Sequence, residues 1–345
     1  MTTTIGFEEL SGFVEKAFVA RGVPADDAAT ATAVIVSANL KGIDTHGVVR
    51  LPHYVRRLEN GTVKARPTIT ADSRAPGVAV VDGDDGLGHV VMHRAVDRAV
   101  EIAQTVGVAS VAVKGSSHFG TAGYYVEELT RNGCAGMVTT SSDAFQAPFG
   151  AAAAFFGTNP IAFGFPTSGH PLILDMATTS VPFGKLALAK AEGRPIPAEW
   201  GIDAEGHPTT DPDSVVGLHP IAGPKGSGLA AVIDVFSNLF VGAAWGPHVV
   251  KMYGDMDKPR RLGHFLTAWR IDAYLQLHDF LAQIDTMIEE LHALPKAEGF
   301  ERLYYPGEIE AERAARRRED GIPIEPGLAE ELRELAAHLE IDSPL

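Results

Sequence analysis

The chain has 345 residues, a formal net charge of −15, 45% hydrophobic residues and one cysteine, with a mean hydropathy of +0.04. These values describe a globular protein with a sizeable core, and the negative charge repels nucleic acid and anionic membranes. The lone Cys134 excludes an intrachain disulfide and a thiolate zinc site, no run approaches the roughly 18 apolar residues of a spanning helix, and the opening residues carry no leader pattern, so the expected location is the cytoplasm.

Along the chain, the first sixty residues read as helix. "FEELSGFVEKAFVARG" places apolar residues at helical spacing and stops at Gly22, and "PADDAATATAVIVSANLKG" begins with Pro24 and acidic residues and stops at Gly42. From about Thr68 strands and helices alternate: strand "GVAVVDG", helix "HVVMHRAVDRAVEIAQTVG", strand "VASVAVKG", helix "TAGYYVEELTRNG", strand "AGMVTTSSD". "PIAFGFP" and "HPLILDMAT", joined by "TSGH", predict an antiparallel hairpin and hence a mixed sheet. The segment "SGLAAVIDVFSNLFVGAAWG" is apolar on nearly every face and predicts a buried helix. A strand near "GHFLTAWRI", a long helix from about Ala273 to Ala293, a strand at "ERLYYPG" and two charged helices close the chain, with "ERAARRRED" reading as a solvated helix. Cys134, opening an apolar strand, reads as a buried small residue rather than a nucleophile.

No dinucleotide fingerprint, Walker A run, nucleophile elbow or metalloprotease helix is present. The glycine triplets of "GDDGLGHVV" and "AGPKGSGLA" run in the wrong order for G-x-G-x-x-G. His89 and His93 stand four apart but lack a third ligand, so no metal is expected. Three segments suit phosphate at helix starts or strand ends: "GPKGSG" with Lys225, Thr178 to Ser180 after "LDMA", and "YYPGE" with Pro306. In "THGVVRLPHY" a helix from Gly47 would put Arg50 and Tyr54 on one face beside His46, a guanidinium and a phenol suited to a small carboxylate. Imidazole titrates near neutrality, so either His46 or His118 of "SSHFG" suits proton exchange with a carbinol.

Together, "THGVVRLPHYVRRLENG", "SSHFGTAGYY", "FGTNPIAFGFP", "LDMATTSVPFGK", "PTTDP", "AGPKGSGL", "MYGDMDKPRRLGHF" and "YYPGE" resemble the malate/L-lactate dehydrogenase type 2 family of NAD(P)-dependent oxidoreductases, which includes the L-sulfolactate, ureidoglycolate and 2,3-diketo-L-gulonate enzymes. Within it, "SSDAFQAPFG", "DMATT", "AGPKG" and "YYPG" look most like the ureidoglycolate branch. The resemblance covers almost the whole chain. It implies an α/β fold of the L-sulfolactate dehydrogenase type, with a mixed seven-stranded sheet that binds NAD(P) without a Rossmann unit. It also implies three parts: a helical segment 1–65 packed with C-terminal helices 306–345, an α/β part 66–120 for substrate and dimer contacts, and a cofactor-binding α/β part 121–305. A homodimer with a shared active site follows from the same likeness.

The implied roles are His118 as acid/base with His46 on the substrate, Thr45, Arg50 and Tyr54 binding the acid, and Ser142, Asp175, Met176, Ala177, Lys225, Pro306, Gly307 and Glu308 at the cofactor. The chain departs from the family at Thr45, where Ser is frequent, and at Ser227, where the ureidoglycolate branch has a bulkier residue. The expected activity is the interconversion of a small 2-hydroxy acid and its 2-oxo acid with NAD, or with NADP. The alternatives are a reductase of cyclic imino acids of the Δ1-piperideine-2-carboxylate type and a non-catalytic NAD(H)-binding sensor.

Overall fold

Left-handed glycines stop the first two helices where the sequence puts their ends: Gly22 at φ +80° and Gly42 at φ +73°. In the computed structural model, which describes residues 3–345, a short strand β1 (Thr3–Ile5) precedes α1 (Phe7–Val19), α2 (Ala25–Leu40) and α3 (Leu51–Glu59). The α/β portion follows as β2 (Thr70–Ala75), β3 (Val78–Asp82), α4 (Gly88–Val106), β4 (Val108–Ser116), α5 (Ala122–Arg131), β5 (Cys134–Thr140), β6 (Ile161–Phe165) and β7 (Leu172–Met176). Then come α6 (Phe183–Ala191), β8 (Gly201–Ile202), β9 (Gly217–Leu218), α7 (Pro224–Ser237), β10 (Leu262–Arg270), α8 (Leu277–Ala293), α9 (Glu308–Asp320), β11 (Ile322–Ile324) and α10 (Pro326–Leu339).

The main sheet has seven strands in the order β2-β3-β4-β10-β5-β6-β7. It is mixed: β3 and β4 are parallel, joined by the α4 crossover, and every other neighbour is antiparallel, including the β6–β7 hairpin. The position 120/121 falls between β4 and α5, inside this one sheet. β10 enters between β4 and β5, pairing His264 with both Val113 and Thr140. That register matters for chemistry. The start of β10 and the C-terminal ends of β4 and β5 share one sheet edge, so residues near 117–121, 141–143 and 260 meet there.

Two large apolar clusters carry most of the fold, beside a smaller one of Val181, Leu186, Ala189, Ile196 and Leu218. One joins α1, α2 and α3 to β11 and α10, with Phe13, Phe18, Ile35, Leu51, Ile322 and Leu332 buried; β1 pairs with β11, so the two ends of the chain close on each other. The other lies between the sheet and α4 and α5, with Val111, Met92, Val126 and Leu266 fully buried. Each fully buried side chain of this size contributes about 1.5–3 kcal/mol. Cys134 is buried here, and burial pushes its thiol up to about 11.

Three elements differ from the sequence reading. Residues 301–307 form no strand; the chain turns there into α9. The segment read as one buried helix breaks after Ser237, and its Val232 and Val235, with Leu239 and Phe240 beyond, are exposed, Phe240 by 59%. Its all-round apolarity therefore serves a surface strip as well as a buried face with Ala230 and Ile233. The helix of "ERAARRRED", α9, is not merely solvated: Arg317 and Arg318 turn inward onto Asp44 and Phe7.

Candidate active site

At that shared sheet edge lies a cavity of about 1040 Å³. His118 sits on its wall in the loop between β4 and α5, and this loop is tightly fixed. Ser117 Oγ accepts from the Gly88 N–H at 2.8 Å and donates to the Gly86 carbonyl at 3.0 Å. A Cβ on Gly88 would lie 2.3 Å from the Ser117 carbonyl oxygen, so only glycine lets α4 begin against this loop. The stretch expected to be helical from Gly47 instead forms two 3₁₀ turns, Asp44–His46 and Val48–Arg50, before α3.

These turns bring His46 onto His118, the rings stacked with centroids 5.7 Å apart and planes 25° from parallel. His46 Nδ1 lies 3.0 Å from the Thr45 hydroxyl. The Arg50 Nε donates to the Thr45 carbonyl at 2.7 Å, the one hydrogen bond of its side chain among the described residues, and its guanidinium stands over the Tyr253 ring. Thr45, His46, Arg50 and His118 all line the cavity.

Tyr54 plays another part than the one expected. It is buried, and its hydroxyl lies 2.7 Å from His118 Nδ1 instead of facing a carboxylate. The Gly120 N–H also points to Nδ1, at 3.3 Å. An amide can only donate, so in the resting state Nδ1 accepts and the ring proton belongs on Nε2. The phenol can donate to Nδ1 in that state and accept from it once the ring is protonated.

Electrostatics set the histidines' charge. Burial, then the coulombic push of His46, Arg50 and Arg260, holds His118 well below its ordinary range. Burial and Arg50 lower His46 to about 4. Around them His53, His89 and His264 are held to about 3, in each case chiefly by burial. The site is a set of neutral imidazoles beside an unpaired guanidinium, arranged to receive an anion.

Sequence reasoning missed two arginines here. Arg57 is buried and donates to the carbonyls of Met252 at 2.7 Å, Lys258 at 2.8 Å and Lys251 at 3.1 Å. Arg260 pairs with Asp143 and donates to the Val250 carbonyl, while Asp143 also accepts from the Met252 N–H at 2.7 Å. Together they fasten the 249–260 loop, which brings Met252 and Tyr253 to the cavity. Their adjacent basic residues in "YVRRLENG" and "KPRRLG" were the available signal, but the partners of Arg57 are carbonyls about two hundred residues away and the carboxylate partner of Arg260 is 117 residues away.

Of the residues expected at a cofactor, Ser142, Asp175, Met176, Ala177, Pro306 and Gly307 line the cavity. Asp175 Oδ2 accepts from the Gly123 N–H at 2.7 Å in the first turn of α5, and loss of water around it pushes its carboxyl up to about 6. Gly307 (φ +91°) lies so close to β7 that a Cβ would sit 3.0–3.1 Å from Ile173. Glu308 stays out of the cavity: His292, Arg302 and the Tyr305 N–H hold its carboxylate. Lys225 is exposed at the start of α7, outside the cavity wall. Thr178 and Thr179 are buried, their hydroxyls bound to the carbonyls of Thr158 and Val181. Of the three anticipated phosphate segments only the one at Pro306 faces the cavity, and the starts of α5, at Gly120 to Ala122, and of α6, at Pro182 to Gly184, join it. His89 packs edge-on to Tyr54, whereas His93 faces Asp97.

The model of the malate/L-lactate dehydrogenase family matches residues 5–333. Malate dehydrogenase of Pyrococcus horikoshii is 34% identical, covering 97% of this chain and 95% of its own length; its structure superposes with a TM-score of 0.91 at 33% identity, covering 99% of this chain and 97% of that one. Sulfolactate dehydrogenase of Methanocaldococcus jannaschii is 36% identical over 93% of each chain, and its structure gives a TM-score of 0.92 at 34% identity over 99% and 98%. Ureidoglycolate dehydrogenase (NAD+) of Escherichia coli O157:H7 is 34% identical over 93% of this chain and 92% of its own.

Proposed function

Because the chain belongs to the malate/L-lactate dehydrogenase family, a family of oxidoreductases acting on CH–OH groups, we propose that it interconverts a small 2-hydroxy acid and its 2-oxo acid, of the ureidoglycolate, malate, lactate or sulfolactate type, with NAD as cofactor. The observation that carries this reading is the stacked His46–His118 pair beside an Arg50 that has no carboxylate partner, at one cavity wall.

Arg50 takes the substrate carboxylate, and Thr45 and His46 flank it. A unit negative charge about 4 Å from an imidazole favours its protonated form by about 4 kcal/mol at an effective dielectric of 20, or roughly three pK units. Acid binding therefore lifts His118 from its depressed state toward neutrality. In reduction, His118, protonated on both nitrogens once the acid is bound, gives its Nε2 proton to the forming C2 oxygen and keeps Nδ1–H on the Tyr54 oxygen; in oxidation, that Nδ1–H tautomer takes the carbinol proton back on Nε2. Tyr54 thus serves both states of the ring.

The cofactor site is tested by its donors. The starts of α5, α6 and α9 face one cavity of dinucleotide size, and exposed helix-start N–H groups favour phosphate. These residues fit a dinucleotide, with Ser142, Met176, Ala177, Pro306 and Gly307 as walls. When bound, its nicotinamide supplies or accepts the hydride. The Asp175 carboxylate favours NAD, since an acid accepts hydrogen bonds from ribose hydroxyls and repels an added phosphate. The exposed strip of Val232, Val235, Leu239 and Phe240 supports a homodimer, and the free nicotinamide pool it needs fits the cytoplasm.

Purified protein should consume NADH with at least one 2-oxo acid, and reduce NAD+ with at least one of ureidoglycolate, malate, lactate or sulfolactate. No turnover with any 2-oxo acid, α-ketoamide or cyclic imino acid would refute the redox reading. Saturable NADH binding without turnover would favour the sensor instead.

A further inference from the structure

The turn that holds Thr45, His46 and Arg50 makes almost all its hydrogen bonds within itself: His46 N–H to Ile43, Gly47 N–H to Asp44, Arg50 N–H to Gly47 and Arg50 Nε to Thr45. Its Val48 is buried in the core, but the half that carries Thr45 and His46 has no buried apolar side chain to fix its orientation. Two polar side chains tie that half to the body of the protein. Asn39, buried at the end of α2, accepts the Val48 N–H on Oδ1 at 2.8 Å and donates Nδ2 to Asp44 Oδ1 at 2.9 Å. Gly47 is pressed so tightly on Asn39 that a Cβ would lie 2.2 Å from Oδ1.

The other tie comes from the far end of the sequence. Arg317, in the last turn of α9, grips Asp44 with both terminal nitrogens, Nη1 to Oδ1 at 2.7 Å and Nη2 to Oδ2 at 3.0 Å, and also donates to the Asn39 carbonyl. A planar fork on a carboxylate fixes angle as well as distance, which a lysine cannot do. α9 is itself braced. Its first residue, Glu308, is held by His292, Arg302 and the Tyr305 N–H, and neighbouring Arg318 lies over the Phe7 ring at 4.2 Å. Ala314, Ala315 and Arg318 of the same helix line the cavity; Arg317 does not.

We propose that Arg317 and Asp44 are positioning residues, a fork that braces the acid-binding turn against α9 and sets His46 and Arg50 for the substrate carboxylate. The inference rests on the 2-hydroxy acid reading, and it concerns acid binding, not cofactor binding. A misplacement of about 1 Å at a reacting group can cost 10²-fold. Arg317→Met and Asp44→Asn should each lower kcat/KM for the acid by about 10–100-fold, most of it in KM, and leave NADH affinity by fluorescence titration within about twofold. Arg317→Lys, which keeps the charge and loses the fork, should fall between Arg317→Met and the wild type. The double variant should be no worse than the poorer single, since both remove one interaction.

A second readout does not depend on turnover. In protein carrying ¹⁵N-histidine, the His46 ring signals, assigned by their loss in His46→Gln, should shift in both single variants as the Thr45–His46 contact changes. If the wild type turns over no acid, the activity reading falls while the His46 signals still judge the fork. If Arg317→Met does not fold, Arg317→Lys and Asp44→Asn carry the test. The proposal is overturned by unchanged His46 signals, by kcat/KM within about twofold of wild type in folded Asp44→Asn, by a parallel loss of NADH affinity, or by additive effects in the double variant.

Discussion

The two walls of the cavity are built on opposite principles. On one, the Thr45–Arg50 turn and the His118 loop gather imidazoles held neutral by burial next to an unpaired guanidinium. On the other, β7 and the start of α9 offer backbone amides, close-packed glycines and the Asp175 carboxylate, whose proton affinity is raised. The first wall is set by charge and awaits an anion. The second is set by shape and by neutral or acidic acceptors, which suits phosphates at helix starts and hydroxyls at a carboxylate. One cavity can therefore sort a small acid from a large cofactor by where each finds its complement.

Variants on the two walls should separate cleanly. His118→Ala has the largest expected effect, a loss of about 10²–10⁴ in kcat with NADH affinity unchanged by fluorescence titration; a matching loss of NADH binding would merge the walls. Arg50→Ala follows, raising KM for the acid about 10–100-fold, the worth of a charge-assisted hydrogen bond. Tyr54→Phe removes the partner of the His118 imidazolium and should lower kcat for reduction by about tenfold, shifting the pH profile of reduction to lower pH.

How much of this was legible in the sequence depends on how far apart the partners lie. His118 could be placed because a strand, a polar turn and a glycine-started helix are adjacent in the chain, and the β6–β7 hairpin was readable for the same reason. Tyr54 could not be read correctly: its spacing from Arg50 suggested a shared clamp, while its partner is 64 residues away. Arg57, Arg260 and Arg317 escaped notice because buried or half-buried arginines bound to carbonyls or a distant aspartate leave no local pattern. The apolar helix from Ser227 onward was misread because periodicity reports apolar surface and does not say what covers it.

Acid should affect the two walls with opposite sign. His46 at about 4, and His53, His89 and His264 at about 3, lie below the ordinary 6.5. Unfolding therefore takes up protons, and the stability they contribute is full above pH 6.5 and lost as pH falls toward 3. Each fully buried histidine steepens the loss by up to about 1.4 kcal/mol per pH unit. Asp175, raised from 3.8 to about 6, works the other way between those values. The histidines outnumber it, so Tm should drop steeply from pH 7 to pH 4, and His89→Phe should flatten the drop. The smallest effect belongs to Asp175→Asn, which should weaken NADH binding by only a few fold and narrow any preference over NADPH. An unchanged NADH to NADPH ratio would remove Asp175 from cofactor choice.

The central claim is that the charge-set wall keeps His118 neutral until the acid arrives and then hands it the proton. The direct measurement is proton uptake, followed with an indicator in lightly buffered solution at pH 7, when the enzyme with NAD+ binds the 2-oxo acid it reduces. The expected result is a net proton uptake that grows as the starting pH is lowered from 7 toward 6, as an anion near a depressed imidazole requires, retained in His46→Gln and absent in His118→Ala. Uptake that survives His118→Ala and vanishes in His46→Gln would reverse the two roles, and no uptake in the wild type would contradict the account.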